Sequence, residues 1–409
     1  MTGVGTAPPS LSAVNSARDV IHVTEAMGAG VLQVVAELAR AQAAAGERVG
    51  VLYVQRRETP AEAELREMFG PDVELLCAGS SSRATNAWRL FAAVQRVLRR
   101  DRAAVVHVHS TIAGIIVRAV GWVLGAKRRV VYSPHGFAFL PEDSSSLKQR
   151  GVAILEGALA GACAGIVTAG ESERGIAERR YGQRTHVLLV ENPVSRAVAS
   201  AVSVDLTRPV VRRRPDLPLV VAIGRIAHQK APWDFAAVAE QLAGSAEFVW
   251  VGDGATSDRD AWLPPNSGVR VTGWLPHNEV LDVLRGARVL LMPSLWEGLP
   301  LALAEALCLG VPAVVSNAPG TRDVVDDGRT GFVVRRPSDL ADAVARLLHD
   351  DALWAAMSAA CRQQLERFAP DRYAVQMSQA YDALGVRPAR HIWGPPVATD
   401  EGQPDGGAL

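Results

Sequence analysis

Cysteine is scarce in this sequence of 409 residues. The four cysteines (Cys77, Cys163, Cys308 and Cys361) lie far apart, and no two of them form a CxxC pair. This spacing argues against a structural zinc site and against the disulfide framework of a small secreted domain. It predicts free thiols in a reducing compartment.

A long apolar run is also absent. A membrane-spanning helix needs about 20 consecutive apolar residues, whereas the most apolar stretch, residues 111–129, is short and interrupted by Arg118. The N-terminal residues show neither a basic start nor an apolar core, so no export signal is expected. These features predict a cytoplasmic protein.

The chain has no net charge, since 43 basic residues balance 43 acidic ones. It also lacks a nucleic-acid recognition motif, so nucleic acid is not an expected partner. The charges are nevertheless uneven, with 23 Lys and Arg against 18 Asp and Glu in residues 1–200. Basic residues cluster in 95–102 and 127–129, which fits either a solvated helix face or peripheral contact with an anionic membrane or a phosphate-bearing acceptor.

Short β-branched runs alternate with helical segments along the whole chain, and we predict a strand at each run. The predicted strands are 19–24, 48–54, 103–109, 128–133, 164–169 and 186–191 in the first half, and 218–224, 247–252, 269–273, 288–293, 312–316 and 331–335 in the second. Nearly continuous Val, Ile and Leu separated by helices is typical of parallel strands covered on both faces. The sequence therefore predicts an α/β fold with two Rossmann-like doubly wound domains facing across a cleft.

Composition also suggests where the domains begin and end. We expect a disordered tail at 1–17, an N-terminal domain at 18–202, a polar, proline-containing linker at 203–216, a C-terminal domain at 217–367, a helix at 368–385 that crosses back to the N-terminal domain, and a second disordered tail at 386–409.

In doubly wound sheets, ligands bind beyond the carboxyl ends of the strands. One predicted strand ends at Gly224 and is followed by Arg225 and Lys230. Two cations on a tight loop before a helix are suited to neutralising a diphosphate.

Weaker signals follow other strands, where glycines would let a backbone approach a ligand closely and a loop end could meet a base. These are Gly28 and Gly30, Gly252 and Gly254, and the loop 272–275 with Thr272 and Trp274.

Two carboxylates, Glu297 and Glu305, interrupt the otherwise apolar segment 294–316. We predict that a helix begins near Gly298 or Leu299, with a proline in its first turn, where a missing N–H costs nothing. The free amides at such a helix start favour an anion such as a phosphate. The residues concerned are Gly298, Leu299, Pro300 and Leu301.

Histidines mark two strand ends in the first half. His135 ends one predicted strand, and its ring is interpreted either as structural or as functional. His107 and His109 lie on one face of another strand, a pattern that also fits a metal site. No acidic or cysteine partner has ligand spacing, so we expect no metal. We interpret His107 as a core residue.

Four ordered pieces of the second half resemble the donor half of retaining GT-B glycosyltransferases of the GT4 type. They are GRIAHQK (224–230), VGDG (251–254), TGWLP (272–276) and PSLWEGLPLALAEALCLGVPAVVS (293–316), the last with two glutamates separated by seven residues. Segments 167–174, 191–194 and 316–334 also look like this family, and the likeness extends from residue 19 to residue 384. Four motifs in the family's order are far more specific than any one of them.

The resemblance implies roles for individual residues. Arg225 and Lys230 match the positions that hold the donor diphosphate. Glu305 matches the position that binds the ribose hydroxyls, and Glu297 matches the position that faces the transferred sugar. His135 matches the position beside the anomeric carbon. The implied catalytic residues are thus His135, Arg225, Lys230 and Glu297, and the implied donor-binding residues are Gly28, Gly30, Gly224, Gly252, Gly254, Thr272, Trp274, Gly298, Leu299, Pro300, Leu301 and Glu305. His109, Phe137 and Glu171 are expected on the acceptor side, with neither a metal nor a cofactor.

The function implied by the resemblance is transfer of a sugar, with retention, from a nucleotide diphosphate sugar to an acceptor hydroxyl. A UDP-sugar is the expected donor, and a glycan, a lipid-linked precursor or a small metabolite is the expected acceptor. Two alternatives share the fold, namely a nucleotide-sugar 2-epimerase and a non-catalytic subunit that binds sugar nucleotides. A dehydrogenase is disfavoured because no GxGxxG follows the first strand.

Overall fold

The computed structural model describes residues 17–56, 59–80, 83–137, 147–201 and 216–388. Nearly all of the predicted N-terminal tail and linker therefore lies outside the described residues, as does the predicted C-terminal tail beyond residue 388. Val386, which the sequence assigns to that tail, is buried in the core.

Parallel strands form two sheets in the described residues. The first sheet contains Val20–Thr24 (β1), Val49–Gln55 (β2), Val73–Ser80 (β3), Val105–His109 (β4), Val130–Ser133 (β5), Gly165–Thr168 (β6) and His186–Leu189 (β7), in the order β3-β2-β1-β4-β5-β6-β7. The second contains Leu219–Ile223 (β8), Glu247–Val251 (β9), Val269–Val271 (β10), Val289–Met292 (β11), Ala313–Ser316 (β12) and Gly331–Val334 (β13), in the order β10-β9-β8-β11-β12-β13. In each sheet the chain first adds two strands on one side of its starting strand, β1 or β8, and then crosses over and adds the remaining strands on the other side, as in doubly wound folds. The predicted fold class is confirmed.

Helices connect the strands in both halves. In the first half they are Ala29–Ala44 (α1), Glu62–Phe69 (α2), Arg83–Arg100 (α3), Thr111–Val123 (α4), Leu147–Ala158 (α5), Glu171–Tyr181 (α6) and Arg196–Ala201 (α7). In the second they are Pro232–Gln241 (α8), Thr256–Trp262 (α9), His277–Arg285 (α10), Leu301–Cys308 (α11), Leu340–His349 (α12), Asp351–Arg362 (α13), Gln364–Arg367 (α14) and Pro370–Ala383 (α15). Within the described ranges, no helix is both long and apolar enough to cross a membrane.

One strand, β3, was missed by the sequence pattern. Among the strands that the structure describes, it lies at the edge of the first sheet and pairs only with β2. Its residues VELLCAGS are mostly half-buried, so a polar Glu74 and a glycine replace the apolar run that marks central strands. Pattern reading detects strands buried on both faces more readily than edge strands.

Helix α1 has apolar residues on two sides because it packs against both halves of the molecule. Val35 packs with residues of β2, whereas Val34 and Leu38 belong to a core cluster that also contains Leu301 and Tyr373 from the second half. Helix α15 lies directly against α1. The two sheets are thereby held with the carboxyl ends of their strands facing a common cleft.

Candidate active site

The cleft has a volume of about 710 Å³ and is lined from both sheets. Residues that follow β1 and β5 approach it from the first half, and residues that follow β8, β9 and β11 approach it from the second. Of the predicted site residues it brings together Gly28, Gly30, His135, Phe137, Gly224, Arg225, Lys230, Gly252, Trp274, Glu297, Gly298, Leu299, Pro300, Leu301 and Glu305.

Four predicted site residues do not line this cleft. Gly254 bridges to the backbone of Ile226, and the Thr272 hydroxyl donates to the Gly273 carbonyl oxygen at 2.7 Å. Both support neighbouring loops instead of meeting a ligand there. The acceptor-side expectations for His109 and Glu171 need correction, because His109 is fully buried and Glu171 lies on the exposed start of α6, paired with Arg174.

A buried ion pair joins two of the predicted catalytic residues. The Nζ atom of Lys230 lies 2.7 Å from Oε1 of Glu297, and the two side chains are 18 % and 9 % exposed. Gln229 donates through Nε2 to the Trp296 carbonyl oxygen at 2.8 Å and to Oε2 of Glu297 at 3.3 Å. Gly224 has φ +139°, and a Cβ atom there would lie 2.9 Å from Cε of Lys230. Any other residue would therefore strain the backbone at the end of β8 and push this lysine aside.

Helix α11 begins later than predicted, at Leu301, with Pro300 just before it. Glu305 therefore lies in the second turn of the helix, only four residues from its start. Among the described residues, no hydrogen bond is found for the amides of Gly298, Leu299 and Leu301. These amides and the positive end of the helix are suited to an anion in the cleft.

Glu305 is buried and is held by residues from both halves of the molecule. Its Oε1 accepts hydrogen bonds from Gln33 Nε2 in α1 and from His277 Nε2 in α10, each at 2.9 Å. Burial disfavours the charged form of His277, but the hydrogen bond and charge of Glu305 outweigh it and raise the pKa of His277. Sequence reasoning missed Gln33 and His277, because neither belongs to a recognisable motif.

The loop after β5 has an unusual backbone. His135 has φ +51° and Gly136 has φ +97°, both in the left-handed region. The Gly136 amide donates to Oε1 of Glu173 at 2.6 Å, and the Ala169 amide donates to the other oxygen at 2.9 Å. Burial raises the pKa of Glu173 to about 7, although these two amides oppose the shift. Glu173 therefore holds the loop that contains His135 through its hydrogen bond to the Gly136 amide. Nothing in the sequence segment GESER indicates that Glu173, and not Glu171, has this role.

Backbones from the two halves meet closely at this point. A Cβ atom on Gly298 would lie 3.1 Å from the carbonyl carbon of His135 and 3.1 Å from the Gly136 amide nitrogen. Contact this close is tighter than side chains normally tolerate, so glycine at position 298 permits the loop after β11 to approach the loop after β5. The cleft thus narrows where His135 and Glu297 face it from opposite domains.

Two family models match separate parts of the chain. The model described as Glycosyltransferase Family 4 matches residues 28–197, and the model described as Glycosyl transferases group 1 matches residues 217–350. Together they include every described strand except β1, and the loops that line the cleft. The chain belongs to the GT4-type glycosyltransferases. This glycosyltransferase is 27 % identical over 289 residues to the UDP-Gal:alpha-D-GlcNAc-diphosphoundecaprenol alpha-1,3-galactosyltransferase of Escherichia coli, covering 66 % of this chain and 72 % of the relative.

Solved structures show that this glycosyltransferase has the GT-B fold. Sucrose-phosphate synthase from Thermosynechococcus elongatus superposes with a TM-score of 0.72 at 19 % identity, covering 90 % of this chain and 99 % of that one. HepE from Anabaena, in complex with UDP-glucose, superposes with a TM-score of 0.68 at 15 % identity, covering 89 % and 99 %.

Proposed function

We propose that this glycosyltransferase transfers a sugar from a UDP-sugar to an acceptor hydroxyl with retention of anomeric configuration. The observation that carries the proposal is the joint placement in one cleft of the Lys230–Glu297 pair, the free amides before α11 and the buried Glu305. A nucleotide sugar presents hydroxyls at each end and a diphosphate in the middle. Glu305 is assigned to the ribose, the amides and cations to the diphosphate, and Glu297 to the sugar.

The choice of UDP draws support from the similar proteins. The E. coli relative is named for transfer from UDP-Gal, and the Anabaena structure holds UDP-glucose. The relative's acceptor is a saccharide on diphosphoundecaprenol. We therefore propose a lipid-linked saccharide as the acceptor of this chain, used in the synthesis of a polysaccharide.

In the proposed reaction, the bond between the anomeric carbon and the β-phosphate oxygen breaks. A bond from the acceptor oxygen forms on the same face, and the acceptor proton passes to the leaving phosphate. Arg225, Lys230 and the amides before α11 stabilise the negative charge that grows on the diphosphate. These groups supply the positive charge that a divalent cation would otherwise provide, so we propose a metal-independent reaction. Lys230 and Gln229 hold the Glu297 carboxylate in position. Its remaining lone pairs can then accept hydrogen bonds from sugar hydroxyls.

Thermal unfolding with UDP, GDP, ADP and dTDP tests the donor class. Because a ligand at about 100 times its Kd stabilises the folded state by about 2.7 kcal/mol, we expect a clear rise in Tm with UDP and little with the others. Reactions of UDP-sugars with lipid-linked saccharides, followed by NMR of the product, then give its anomeric configuration. Inversion, epimerised donor without transfer, or loss of activity in EDTA would each contradict the proposal.

We also propose that the N-terminal domain rests on an anionic membrane surface, where a lipid-linked acceptor would be found. Trp122 and Val123 at the end of α4 are 64 % and 74 % exposed. The exposed basic residues Lys127 and Arg128 follow four and five positions after Val123 in the chain. Exposed aromatic and apolar side chains beside basic residues are suited to the interface of an anionic bilayer.

Co-sedimentation with vesicles that contain phosphatidylglycerol tests the membrane proposal. Reversal of both charges in Lys127→Glu/Arg128→Glu is expected to weaken binding by about tenfold or more, since each basic residue near such a surface contributes about 1 kcal/mol. The matched control is Arg335→Glu/Arg336→Glu, an exposed basic pair on the second domain. Equal loss in both variants, or no binding by the unaltered protein, would exclude this surface.

A further inference from the structure

Buried imidazoles lie side by side across neighbouring strands of the first sheet. His22 of β1 is in register with His107 of β4, and His109 of β4 is in register with Ser133 of β5. Residues two apart in a strand share a face, so the rings of His107 and His109 stack above the same side of the sheet. His22, His107 and His109 are completely buried. His135, two residues beyond Ser133, lines the cleft.

Three of these rings form a continuous hydrogen-bonded chain that begins at Gln42 in α1. The Gln42 Oε1 atom lies 2.7 Å from His22 Nε2. His22 Nδ1 lies 3.0 Å from His109 Nε2, and His109 Nδ1 lies 2.9 Å from His135 Nε2. The chain therefore connects a buried glutamine to the histidine that faces the candidate active site.

All three rings in this chain are neutral at physiological pH. Burial lowers the pKa values of His22 and His135 to about 4. Burial, together with the neighbouring imidazoles, lowers the pKa of His109 well below its ordinary value. A neutral imidazole has one donor and one acceptor nitrogen, so each ring that donates at one end must accept at the other. The tautomers of the three rings are consequently coupled.

The Gln42 amide determines the direction of the chain. Its Oε1 atom faces Nε2 of His22. His22 must then donate from Nε2, which leaves Nδ1 to accept from His109 Nε2–H. His109 Nδ1 in turn accepts from His135 Nε2–H. The Nδ1 atom of His135 is left without a proton.

We propose that Gln42, His22 and His109 are positioning residues that hold His135 as its Nε2-protonated tautomer, so that Nδ1 of His135 accepts a hydrogen bond from a substrate hydroxyl. In this tautomer His135 has no ring N–H left to donate to the diphosphate. The inference rests on the proposed function for the identity of the ligand, since a sugar offers hydroxyl donors and a phosphate does not. The tautomer itself does not depend on that function.

Metal binding is the alternative use of this cluster. One ligand atom from each of His22, His107 and His109 lies within 4.8 Å of the others, a spacing that could hold an ion. However, both nitrogens of every one of these rings already have a polar partner, those of His107 being Tyr381 and Ser133. An ion would break several of these hydrogen bonds, and this group of ligands includes neither a carboxylate nor a thiolate. These hydrogen bonds satisfy both nitrogens of His22, His107 and His109 without an ion.

Long-range ¹H–¹⁵N NMR of the full chain labelled with ¹⁵N-histidine reads each tautomer directly, without substrate. The His135 signals are assigned by their loss in His135→Gln. We expect Nδ1 of His135 to be unprotonated in the unaltered protein.

Gln42→Met removes the amide that sets the direction of the hydrogen-bonded chain, and His109→Phe removes the link next to His135. Both variants are expected to yield a mixture of His135 tautomers. His107→Gln is the matched control, because it removes a buried histidine outside the chain and should leave the His135 tautomer unchanged.

Three results would overturn the inference: a protonated Nδ1 in the unaltered protein, an unchanged tautomer in Gln42→Met and in any folded His109→Phe, or one equivalent of tightly bound metal that His107→Gln abolishes. Kinetics provide a second readout. Because only the Nε2-protonated tautomer accepts the hydrogen bond from the substrate, kcat of Gln42→Met is expected to fall in step with the population of that tautomer measured by NMR, with about tenfold as the limit for complete loss of the hydrogen bond. Because the NMR arm needs no turnover, failure of sugar transfer would count against the proposed function, whereas the wrong tautomer would count against the positioning chain.

Discussion

Glu297→Gln is expected to lower kcat by at least about a hundredfold while the protein remains folded, since loss of one preorganised charged contact in a closed site costs roughly that much. The substitution preserves the size of the side chain. It removes the negative charge that balances Lys230 at 2.7 Å, and it replaces one acceptor oxygen with a donor. Sugar hydroxyls that need an acceptor would then lose it, and Lys230 would be free to shift.

Steady-state kinetics with the preferred nucleotide sugar measures this effect. Glu279→Gln is the matched control, because Glu279 is an exposed glutamate on α10 outside the residues that line the cleft. We expect wild-type kinetics and urea unfolding for the control, whereas Glu297→Gln, which leaves Lys230 without its charge partner, should be less stable yet still folded under assay conditions. A kcat for Glu297→Gln near that of the control would contradict the assignment of Glu297 to the sugar.

Lys230→Met is expected to impair both catalysis and stability. Activity falls by about a hundredfold or more, because a cation opposite the breaking bond stabilises the leaving diphosphate. Removal of one partner of a buried ion pair also leaves an uncompensated charge, which destabilises a protein by about 3 kcal/mol or more. Glu297, with a side chain only 9 % exposed, would be that charge.

A double variant separates these two consequences of losing Lys230. Lys230→Met/Glu297→Gln removes both charges, so the free energy of unfolding should recover while kcat stays low. Arg225→Met gives the opposite comparison, because Arg225 is exposed in the cleft. It should weaken turnover with little change in unfolding. Recovery of kcat in the double variant would show that Lys230 serves only to neutralise Glu297.

The sequence was sufficient for the parts of the site that depend on local order along the chain. All twelve predicted strands are present, and fifteen predicted site residues line one cleft. Loops at strand ends are predictable in this way because parallel strands bring their carboxyl ends to one edge of a sheet. The contact between Glu297 and Lys230, 67 positions apart, was by contrast not predictable in this way, because it arises only from the placement of β8 beside β11.

Burial and partners across the sheet could not be derived from the sequence. The segment GESER contains two glutamates, and only the rotation of α6 decides that Glu173 supports Gly136 while Glu171 faces outward. Likewise, the alternation in VVHVH places His109 on a face of β4 but does not say what covers that face. Gln42 of α1 and Tyr381 of α15 contact the neighbouring His22 and His107, and His109 lies between His22 and His135 as a buried link instead of an acceptor contact.

The sequence by itself determined the two parallel-sheet domains, the cleft between them and the motifs that supply its carboxylates and cations, because hydrophobic periodicity and residue order specify these locally. Only the tertiary structure decided which side chains meet: the Lys230–Glu297 pair, the contacts of Gln33 and His277 with Glu305, and the chain from Gln42 to His135. Such contacts depend on helix rotation and strand register between residues distant in the chain, and in the absence of a motif no local pattern encodes them.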